Sequence, residues 1–512
     1  MPDLFEPQAE SLFRDTVKRI KHLERAQLRE ECKLAVDYLA GRQVNDVAQE
    51  LETRFPATQA GGTGQEIEPL TINLTKRFVS EQATLYNKGV SRKLVDQSGQ
   101  ETDATKAQTL KLNRALDDAN MDEVLHATER HTVLLEVCGL WIQEQRKKLR
   151  PVVTLPHLIY PIAPPPDTRI AQFNGSDPED YAGFVVETEY DRDDTTRADG
   201  ALYTLLDDVQ GIVYQGGGSP DEPHEVIAKF EHGLGINPLT FWHTSLPTDE
   251  LITHSDATIA RANRELNLAW SVLMDTLRMQ GFATPVKKVT NKKDPSARQL
   301  HGSRFPVILD ITEDFSYASA AAPFSDAVAV IQEFLAQLAL SYRENPEDFS
   351  SRGAQAISGF AKAVSSLPKI QARQERARRA QAVEQQQLGP RVIKVLVRTG
   401  QLDSEALGMR WRVAYESIEF PMTPQETQQR LDVDIKYGLT TPAQELANRK
   451  HITVEEAKKQ IEENLVETKE IRASVQAPAP GQHEQRPQPG GYAERIAGRR
   501  RDASGLPLRR AP

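Results

Sequence analysis

Three short stretches contain residues that bind phosphate or metal ions in other proteins, but each lacks a feature that the chemistry needs. GGTGQE at 61–66 is glycine-rich, yet it has no Lys-Ser/Thr pair to reach a terminal phosphate, and we interpret it as a loop. His126 and His131 are five residues apart, and this spacing does not align two zinc ligands on one helix face. DRDDTTRADG at 191–200 resembles a calcium loop, but Thr196 stands where the sharp turn needs glycine. These patterns predict no metal ion and no cofactor.

The sequence contains no recognisable catalytic centre. No Gly-x-Ser-x-Gly nucleophile elbow occurs. A metal-dependent nuclease would need clustered carboxylates, and the only dense group is Asp191, Asp193 and Asp194, which we interpret as a hairpin tip. We therefore predict that the chain is not an enzyme and has no catalytic residues. A nucleic-acid-processing enzyme remains the third alternative.

Basic residues form local groups in a chain whose total charge is negative. The formal net charge is −10 at pH 7, which argues against a protein that adheres to DNA through a broad basic face. The first group comprises Lys287, Lys288, Lys292, Lys293, Arg298 and Arg304. The second group comprises Arg373, Arg376, Arg378 and Arg379. Each group is either a solvated surface or a local contact with DNA phosphates, and both interpretations stay open.

Composition favours an extended, surface-rich and mainly helical molecule. Hydrophobic residues make up 39% of the 512 residues and charged residues 27%, so the chain is less apolar than a usual globular protein. Two cysteines, Cys32 and Cys138, are too few for a disulfide framework, which indicates a reducing compartment. The first residues do not form a signal peptide, and no apolar run is long enough to span a bilayer. No membrane association is expected.

Helical periodicity dominates the first part of the chain. Apolar residues recur at helical spacing over 4–55 and again over 70–89, where Gly89 offers a C-cap. Residues 101–150 predict two further helices, and the second of these includes the apolar run TVLLEVCGLWIQEQ at 132–145.

The hydrophobic period then changes to that of strands. Residues 151–166 are proline-rich and extended. Three strands are expected within 184–192, 201–215 and 224–232, joined in an antiparallel meander. The predicted fold class is therefore α+β and mainly helical, with its antiparallel strands inside 151–232.

Two apolar helices flank the first basic group. The stretch from Asp249 to Gly281 predicts a helix about 50 Å long. Its first half is polar, and its second half is apolar almost all round, so this half should be buried on all sides. A second helix is expected over 325–344, and residues 283–324, with two short strands, would lie at the tip of the resulting hairpin. Burial within one chain and burial between copies in a closed ring are both open.

The C-terminal part alternates loops with helices. Residues 345–355 predict a loop, followed by a helical tract to about Gln387 that is interrupted at Pro368. Residues 420–470 predict short helices that begin with capping-box sequences. From about residue 475 the chain is rich in Pro, Gly, Gln and Arg, which predicts disorder.

This order of parts resembles a portal protein of tailed bacteriophages. The resemblance extends from about residue 30 to 470 and lies in the architecture and in loose patterns. The matching pieces are NLTKRFVSEQATLYNKG, INPLTFW, MQGFATPVKK, SSRGAQAISGFAKAV and PMTPQETQQRLDVDIKYGLTTPAQELANRKHITVEEAKKQIEEN.

The resemblance implies a ring-forming architecture with wing, stem, clip and crown regions. In chain order, these regions are the wing (1–248, with antiparallel strands in 151–232), the first stem helix (249–282), the clip (283–324), the second stem helix (325–344), the tunnel loop (345–355), a long kinked helix that returns to the wing (356–420), the crown (421–474) and a disordered basic tail (475–512).

The resemblance also implies roles for particular residues. Stem packing would involve Leu266, Trp270, Leu273, Leu277, Phe334 and Leu338. The tunnel loop would place in the DNA channel Glu347, Asp348, Phe349, Ser350, Ser351 and Arg352. The clip would contact partners or DNA through Lys287, Lys288, Lys292, Lys293, Arg298 and Arg304.

Portal proteins form rings, usually dodecameric, at one vertex of the capsid, and viral DNA is packaged and ejected through the channel. The implied partners are further copies of the chain, double-stranded viral DNA, the large subunit of the terminase, the head–tail adaptor, and the major capsid and scaffolding proteins. The implied location is the virion, and the host cytoplasm during assembly. The alternative is a helical scaffold or capsid-assembly protein without a DNA channel.

Overall fold

The computed structural model describes residues 23–55, 67–87, 89–164, 174–188, 202–215, 225–248, 250–252, 257–281, 286–289, 307–310, 324–346, 367–416, 428, 431–433, 435–438, 440–450 and 454–476. Among these residues helix is the commonest state, and several small sheets accompany it, so the chain is mixed α and β and mainly helical. The chain divides into two compact units after Phe420.

The helices of the N-terminal part follow the predicted periodicity, with one difference in length. They are α1 (Leu23–Ala40), α2 (Val44–Arg54), α3 (Leu74–Gln82), α4 (Asp103–Asp118) and α5 (Met121–Leu135). The prediction of one helix over 70–89 is wrong at both ends. Helix α3 begins after Asn73, whose side chain accepts the Lys76 N–H, and it ends at Gln82 because Leu85 and Tyr86 turn into the core.

The apolar run at 132–145 is only partly helical, which corrects the prediction. Helix α5 ends at Leu135, Glu136 takes a left-handed conformation with φ of 67°, and a strand begins at Val137. A continuous apolar run is compatible with either a buried helix or a buried strand, and periodicity alone does not separate the two. Residues 137–145 form the central strand of a three-stranded sheet, where burial on both faces suits such a run.

Twelve strands are described, and all but one of their pairings are antiparallel. In chain order they are β1 (Val90–Val95), β2 (Val137–Gln145), β3 (Lys148–Thr154), β4 (Ile159–Ile162), β5 (Gly183–Thr188), β6 (Leu202–Leu206), β7 (Gln210–Gln215), β8 (Glu225–Glu231), β9 (Leu239–His243), β10 (Val286–Val289), β11 (Val307–Asp310) and β12 (Arg410–Tyr415). The sheets have the orders β3-β2-β9, β4-β5-β6-β7-β8, β1-β12 and β10-β11.

The predicted antiparallel meander is confirmed as part of the five-stranded sheet, with one strand more than expected. The stretch 201–215 holds two strands, β6 and β7, instead of one. Asp207 makes the turn between them, since its Oδ1 accepts the N–H groups of Val209 at 2.7 Å and Gln210 at 2.6 Å. An aspartate that bonds the backbone two residues ahead is a common turn device.

Two large apolar clusters form the core of the first unit. One joins α4, α5, β2 and β12, and contains Leu112, Leu125 and Trp411. The other packs α1 against the strands and contains Cys32 and Phe184. Both cysteines are buried and unbonded, as expected for core residues.

The two long apolar helices are present, but the first is shorter than predicted. Helix α6 spans Thr258–Gly281, so the prediction of a helix from Asp249 is wrong. Ala257 has φ of 48°, which a right-handed helix does not allow, and Leu251 and Ile252 are buried in the core. Helix α7 spans Phe324–Ser341, close to the predicted 325–344.

A nearly continuous helical tract begins at Leu367, and it contains an irregular turn that was not predicted. Helix α8 (Leu367–Val383), a π-helical turn (Glu384–Leu388) and helix α9 (Gly389–Arg398) succeed one another, so the tract extends beyond Gln387. Pro368 is the second residue of α8, a position in the first turn where proline is tolerated. The part of the predicted tract that precedes it, 356–366, lies outside the described residues, so the predicted interruption at Pro368 stays a prediction. The irregular turn precedes Pro390, which has no N–H to donate.

In the described part of the second unit, the two long elements are helices α10 (Pro442–Lys450) and α11 (Val454–Gln476). Thr441 begins α10 with a capping box, because its Oγ accepts the Gln444 N–H at 3.2 Å and the Gln444 side chain accepts the Thr441 N–H at 3.0 Å. This box was not predicted. The predicted boxes at Thr423 and Thr453 and most of the tail, 477–512, lie outside the described residues.

Candidate functional site on the two long helices

Helices α6 and α7 run antiparallel, and the start of α6 and the end of α7 pack together in the body of the first unit. Ile259 and Ala262 near the start of α6 pack with Leu338 and Ala339 near the end of α7, and Phe78 of α3 completes this cluster. The strands β10 and β11 come between the two helices in the chain. The elements therefore follow the predicted order of helix, strand pair and helix.

The strand pair is parallel, with Val286 opposite Val307 and Val289 opposite Asp310. Lys287 and Lys288 lie on β10, opposite Ile308 and Leu309 in register. A parallel pair needs a long connection between its strands. The other predicted clip contacts are outside the described residues, namely Lys292, Lys293, Arg298 and Arg304.

The polar half of α6 is held by ion pairs to the N-terminal helices. Glu265 receives both ends of the Arg54 guanidinium, at 2.8 and 2.7 Å. Arg264 donates to Glu50 at 3.2 Å. Arg261 donates to Glu31 at 2.6 Å. The bidentate pair is the best oriented of these contacts, so this half of the helix has its partners within the chain.

A second set of polar contacts was missed by the sequence analysis. Asn263, Asn267 and Ser271 are spaced by four residues along α6, and each is at least 98% buried. Their side-chain oxygens accept the N–H groups of Leu74, Ile72 and Leu70, each at 2.9 Å. We call this set the α6 ladder. It corrects the prediction that the second half of the helix has no polar face and is buried through apolar side chains.

The six predicted stem residues fall into three groups by exposure. Leu266 and Leu338 are buried. Trp270 and Leu273 are half-buried. Leu277 and Phe334 are exposed, at 39% and 43%, and Phe334 is accompanied on α7 by Val330 at 69% and Leu340 at 56%. A helix whose large apolar side chains remain in water is typical of a surface that another molecule covers.

The predicted tunnel-loop residues lie outside the described residues, namely Glu347, Asp348, Phe349, Ser350, Ser351 and Arg352. The second basic group lies on α8, and its arginines differ in their surroundings. Arg376 donates to the backbone oxygen of Gln82 at 2.7 Å, and Arg379 lies 4.0 Å from Glu375. Arg373 is buried, whereas Arg378 is exposed.

Another buried charge network anchors the π-helical turn. Glu384 is fully buried and accepts from Arg92 Nε at 2.9 Å and from the hydroxyl groups of Tyr86 and Tyr415 at 2.7 Å each. Arg92 also reaches Asp122 at 2.5 Å. Because each carboxylate oxygen is bonded, the charge is well satisfied inside the protein. Glu384 is 292 residues from Arg92 and 298 from Tyr86, so no local pattern predicted the network.

A second buried carboxylate lies on α5. Glu129 is 5% exposed and accepts the N–H groups of Thr84 and Leu85 at 3.1 Å. Burial raises the pKa of Glu129 to about 7. On the same helix, burial lowers the pKa of His131 to about 4, and its neighbour Arg130 adds to this effect.

The described residues contain no group of His, Cys, Asp and Glu side chains that could hold a metal ion. Among the described helices, none combines the length and hydropathy that a membrane span requires. The sequence matches no protein-family model and has no significant similarity to a curated protein.

Proposed function

We propose that this chain is the subunit of a portal-type ring, through which viral DNA enters and leaves a capsid. In this proposal α6 and α7 form the stem, β10 and β11 with their connections form the clip, and neighbouring copies of the chain pack side by side around the channel. The chain itself performs no catalysis, and ATP hydrolysis belongs to a terminase partner.

The observation that carries the proposal is the exposure of apolar side chains on the helix pair. Val330, Phe334 and Leu340 of α7 and Leu277 of α6 are all more than a third exposed. Full burial of a side chain of this size stabilises an assembly by about 1.5–3 kcal/mol. We propose that the partner is a second copy of the chain, because the long helices of neighbouring copies would cover one another. A head-to-tail interface between copies forms a ring when its rotation closes after a whole number of subunits.

The contrast within α6 also supports the proposal. The polar half of the helix is tied to α1 and α2 by Arg261, Arg264 and Glu265. Its ladder residues bind a segment of the same chain. The intrachain contacts therefore fix the base of the hairpin, whereas the exposed apolar side chains are available for contacts between copies.

The charge distribution is consistent with a conduit. A net charge of −10 would let DNA slide, because a strongly basic wall binds DNA by releasing its counterions. The lysines of the clip would be contacts for the large subunit of the terminase during packaging, and for the head–tail adaptor afterwards. The tunnel loop at 345–355 would meet DNA in the channel, and the crown at 421–474 would face the capsid interior.

The first test is the mass of the purified full-length chain and its appearance in negative stain. We expect particles of many subunits, with a central hole in end-on views. A single species of monomer or dimer at several salt concentrations would contradict the ring. Assemblies without a hole would favour the alternative, a helical scaffold or capsid-assembly protein that has no DNA channel.

A further inference from the structure

Arg373 is a buried cation whose guanidinium makes no hydrogen bond or ion pair with a described residue. Its side chain lies on α8 and the residue is 5% exposed. Its Nε and Nη2 atoms are buried and have no hydrogen-bond partner among the described residues. The carboxylates of Glu129 and Glu416 act on the guanidinium electrostatically, but neither forms an ion pair with it. A buried guanidinium that lacks a partner is costly, because its lost hydration is not replaced.

The other basic residues of α8 show that partners are available in this region. Lys369 binds Glu81 at 2.7 Å and Glu344 at 3.0 Å. Arg376 binds Gln82. Arg379 lies near Glu375. Arg373 lacks such a direct contact, and burial lowers its pKa although the carboxylates of Glu129 and Glu416 act on it electrostatically in the opposite direction.

Arg373 lines an open cavity of about 460 Å³ between α8 and the end of β12. One wall is a face of α8 that also presents Gln374, Arg378 and Gln381, and the other wall includes Glu416. Arg378 forms no hydrogen bond or ion pair with a described residue either. The cavity is larger than one side chain needs, and it is within the range of small-ligand sites.

We infer that this cavity binds a phosphate group through Arg373 and Arg378. Two guanidinium groups and one carboxylate give the lining a net charge of one positive unit, which matches the single negative charge of a phosphodiester. The planar guanidinium can donate two parallel hydrogen bonds to phosphate oxygens. The Gln374 amide is a neutral donor on the same wall. The source of the phosphate is either a nucleic-acid backbone or a small phosphorylated molecule.

The test measures thermal unfolding of the full-length chain in inorganic phosphate and in sodium chloride at equal ionic strength. A ligand that binds the folded state raises the unfolding midpoint with its concentration. We expect phosphate to raise the midpoint of the wild type beyond the effect of chloride. Arg373→Met should weaken phosphate binding by about ten- to a hundredfold, as expected for the loss of a charged hydrogen bond. Without phosphate it should match or exceed the wild-type midpoint, since it removes an unpaired buried charge.

Arg378→Gln is the second variant, because Arg378 is exposed and lines the cavity, so its loss should also weaken the phosphate effect without disturbing the core. Arg379→Gln is the matched control, because Arg379 lies near Glu375 and is not among the residues that line the cavity, and its response should equal that of the wild type. Equal effects of phosphate and chloride on the wild type would overturn the inference. A lower midpoint of Arg373→Met without phosphate would also overturn it, since Arg373 would then be structural.

A labelled DNA duplex distinguishes the two sources of phosphate. Duplex binding that weakens in both Arg373→Met and Arg378→Gln, but not in Arg379→Gln, supports a nucleic-acid backbone. Phosphate binding with unchanged duplex binding supports a small phosphorylated molecule. Particle mass is also measured on each variant. A loss of assembly in Arg373→Met would show that a neighbouring copy occupies the cavity, and it would overturn the inference of phosphate binding. Because binding and particle mass are measured separately, a failure of the phosphate inference can be told apart from a failure of the proposed ring.

Discussion

The side-chain oxygen of Asn267 accepts the backbone N–H of Ile72 at 2.9 Å. With Asn263 and Ser271 it forms the α6 ladder along an extended segment. Four residues of a helix rise about 6 Å and two extended residues about 6.6 Å, so a helix with polar residues every four positions matches every second N–H of the segment. The helix thus takes the place of a neighbouring strand.

We predict that Asn267→Ala lowers the free energy of unfolding by about 1–3 kcal/mol, because it leaves the Ile72 N–H without its acceptor. Urea unfolding followed by circular dichroism measures the change. Asn113→Ala is the control, because Asn113 lies on α4 and is exposed, and its effect should be within about 0.5 kcal/mol. Equal effects of the two substitutions would show that the ladder does not contribute.

The sequence could predict the helices but not the ladder. Periodicity found α6 because its apolar residues recur at helical spacing. The hydrogen bond of Asn267 is made with Ile72, which is 195 residues away in the chain. A local sequence pattern does not predict which distant backbone segment lies beside a helix. The same limit explains the missed network of Arg92 and Glu384, which are separated by 292 residues.

The errors in element bounds have local causes. The strand β2 was predicted as helix because Val137–Ile142 is apolar without interruption, and such a run fits either structure. Helix α6 was predicted to begin too early because Leu251 and Ile252 continue the apolar pattern, although they belong to the core. The sequence shows that the α7 side chains are apolar, but only the folded chain shows which of them are exposed.

Gly389 provides a second test of packing. A Cβ atom at this position would lie 2.6 Å from the Cβ of Trp411 and 3.0 Å from the backbone oxygen of Glu384. We predict that Gly389→Ala lowers the free energy of unfolding by about 1–3 kcal/mol, because overpacking outweighs the higher helix propensity of alanine. Gly408→Ala is the control, since nothing lies within 4 Å of its Cβ position. An unchanged midpoint of urea unfolding for Gly389→Ala would contradict the close approach to Trp411.

Glu129 should make stability depend on pH. Its pKa is raised from 4.5 in the unfolded chain to about 7 in the folded chain, so the folded state binds the proton more tightly. Its contribution to stability is fully present below about pH 4.5 and is lost as the pH rises to about 7. Glu129→Gln should therefore become more stable relative to the wild type over this range, by up to about 3 kcal/mol above pH 7.

The measurement is the difference between the unfolding free energies of wild type and Glu129→Gln from pH 4 to pH 8. His131 contributes in the opposite direction, because its lowered folded pKa favours stability as the pH rises from about 4 to 6.5. This contribution is common to both proteins and cancels in the difference. A difference that does not change with pH would show that Glu129 is not the titrating group.

The lysines of the predicted clip should affect function without affecting assembly. We expect charge reversal of Lys287, Lys288, Lys292 and Lys293 to glutamate to reduce DNA packaging or partner docking at least tenfold, about the effect of losing one charged contact. Rings should persist, as measured by particle mass. Lys147→Glu with Lys148→Glu is the control, since both residues are exposed beside the turn between β2 and β3. Monomers from the charge-reversed clip variant would contradict the clip assignment.

Phe334 and Leu338 separate assembly from folding, because they lie one helical turn apart on α7. Phe334 is 43% exposed, whereas Leu338 is 8% exposed and packs near Phe78. Phe334→Asp should leave the circular dichroism and unfolding midpoint of the subunit unchanged while reducing particle mass towards the monomer, since it places a charge in the contact between copies. Leu338→Asp should instead lower the free energy of unfolding by about 3–5 kcal/mol, because it buries a charge within the subunit. If Phe334→Asp forms rings as readily as the wild type, the exposed face of α7 does not contact a second copy.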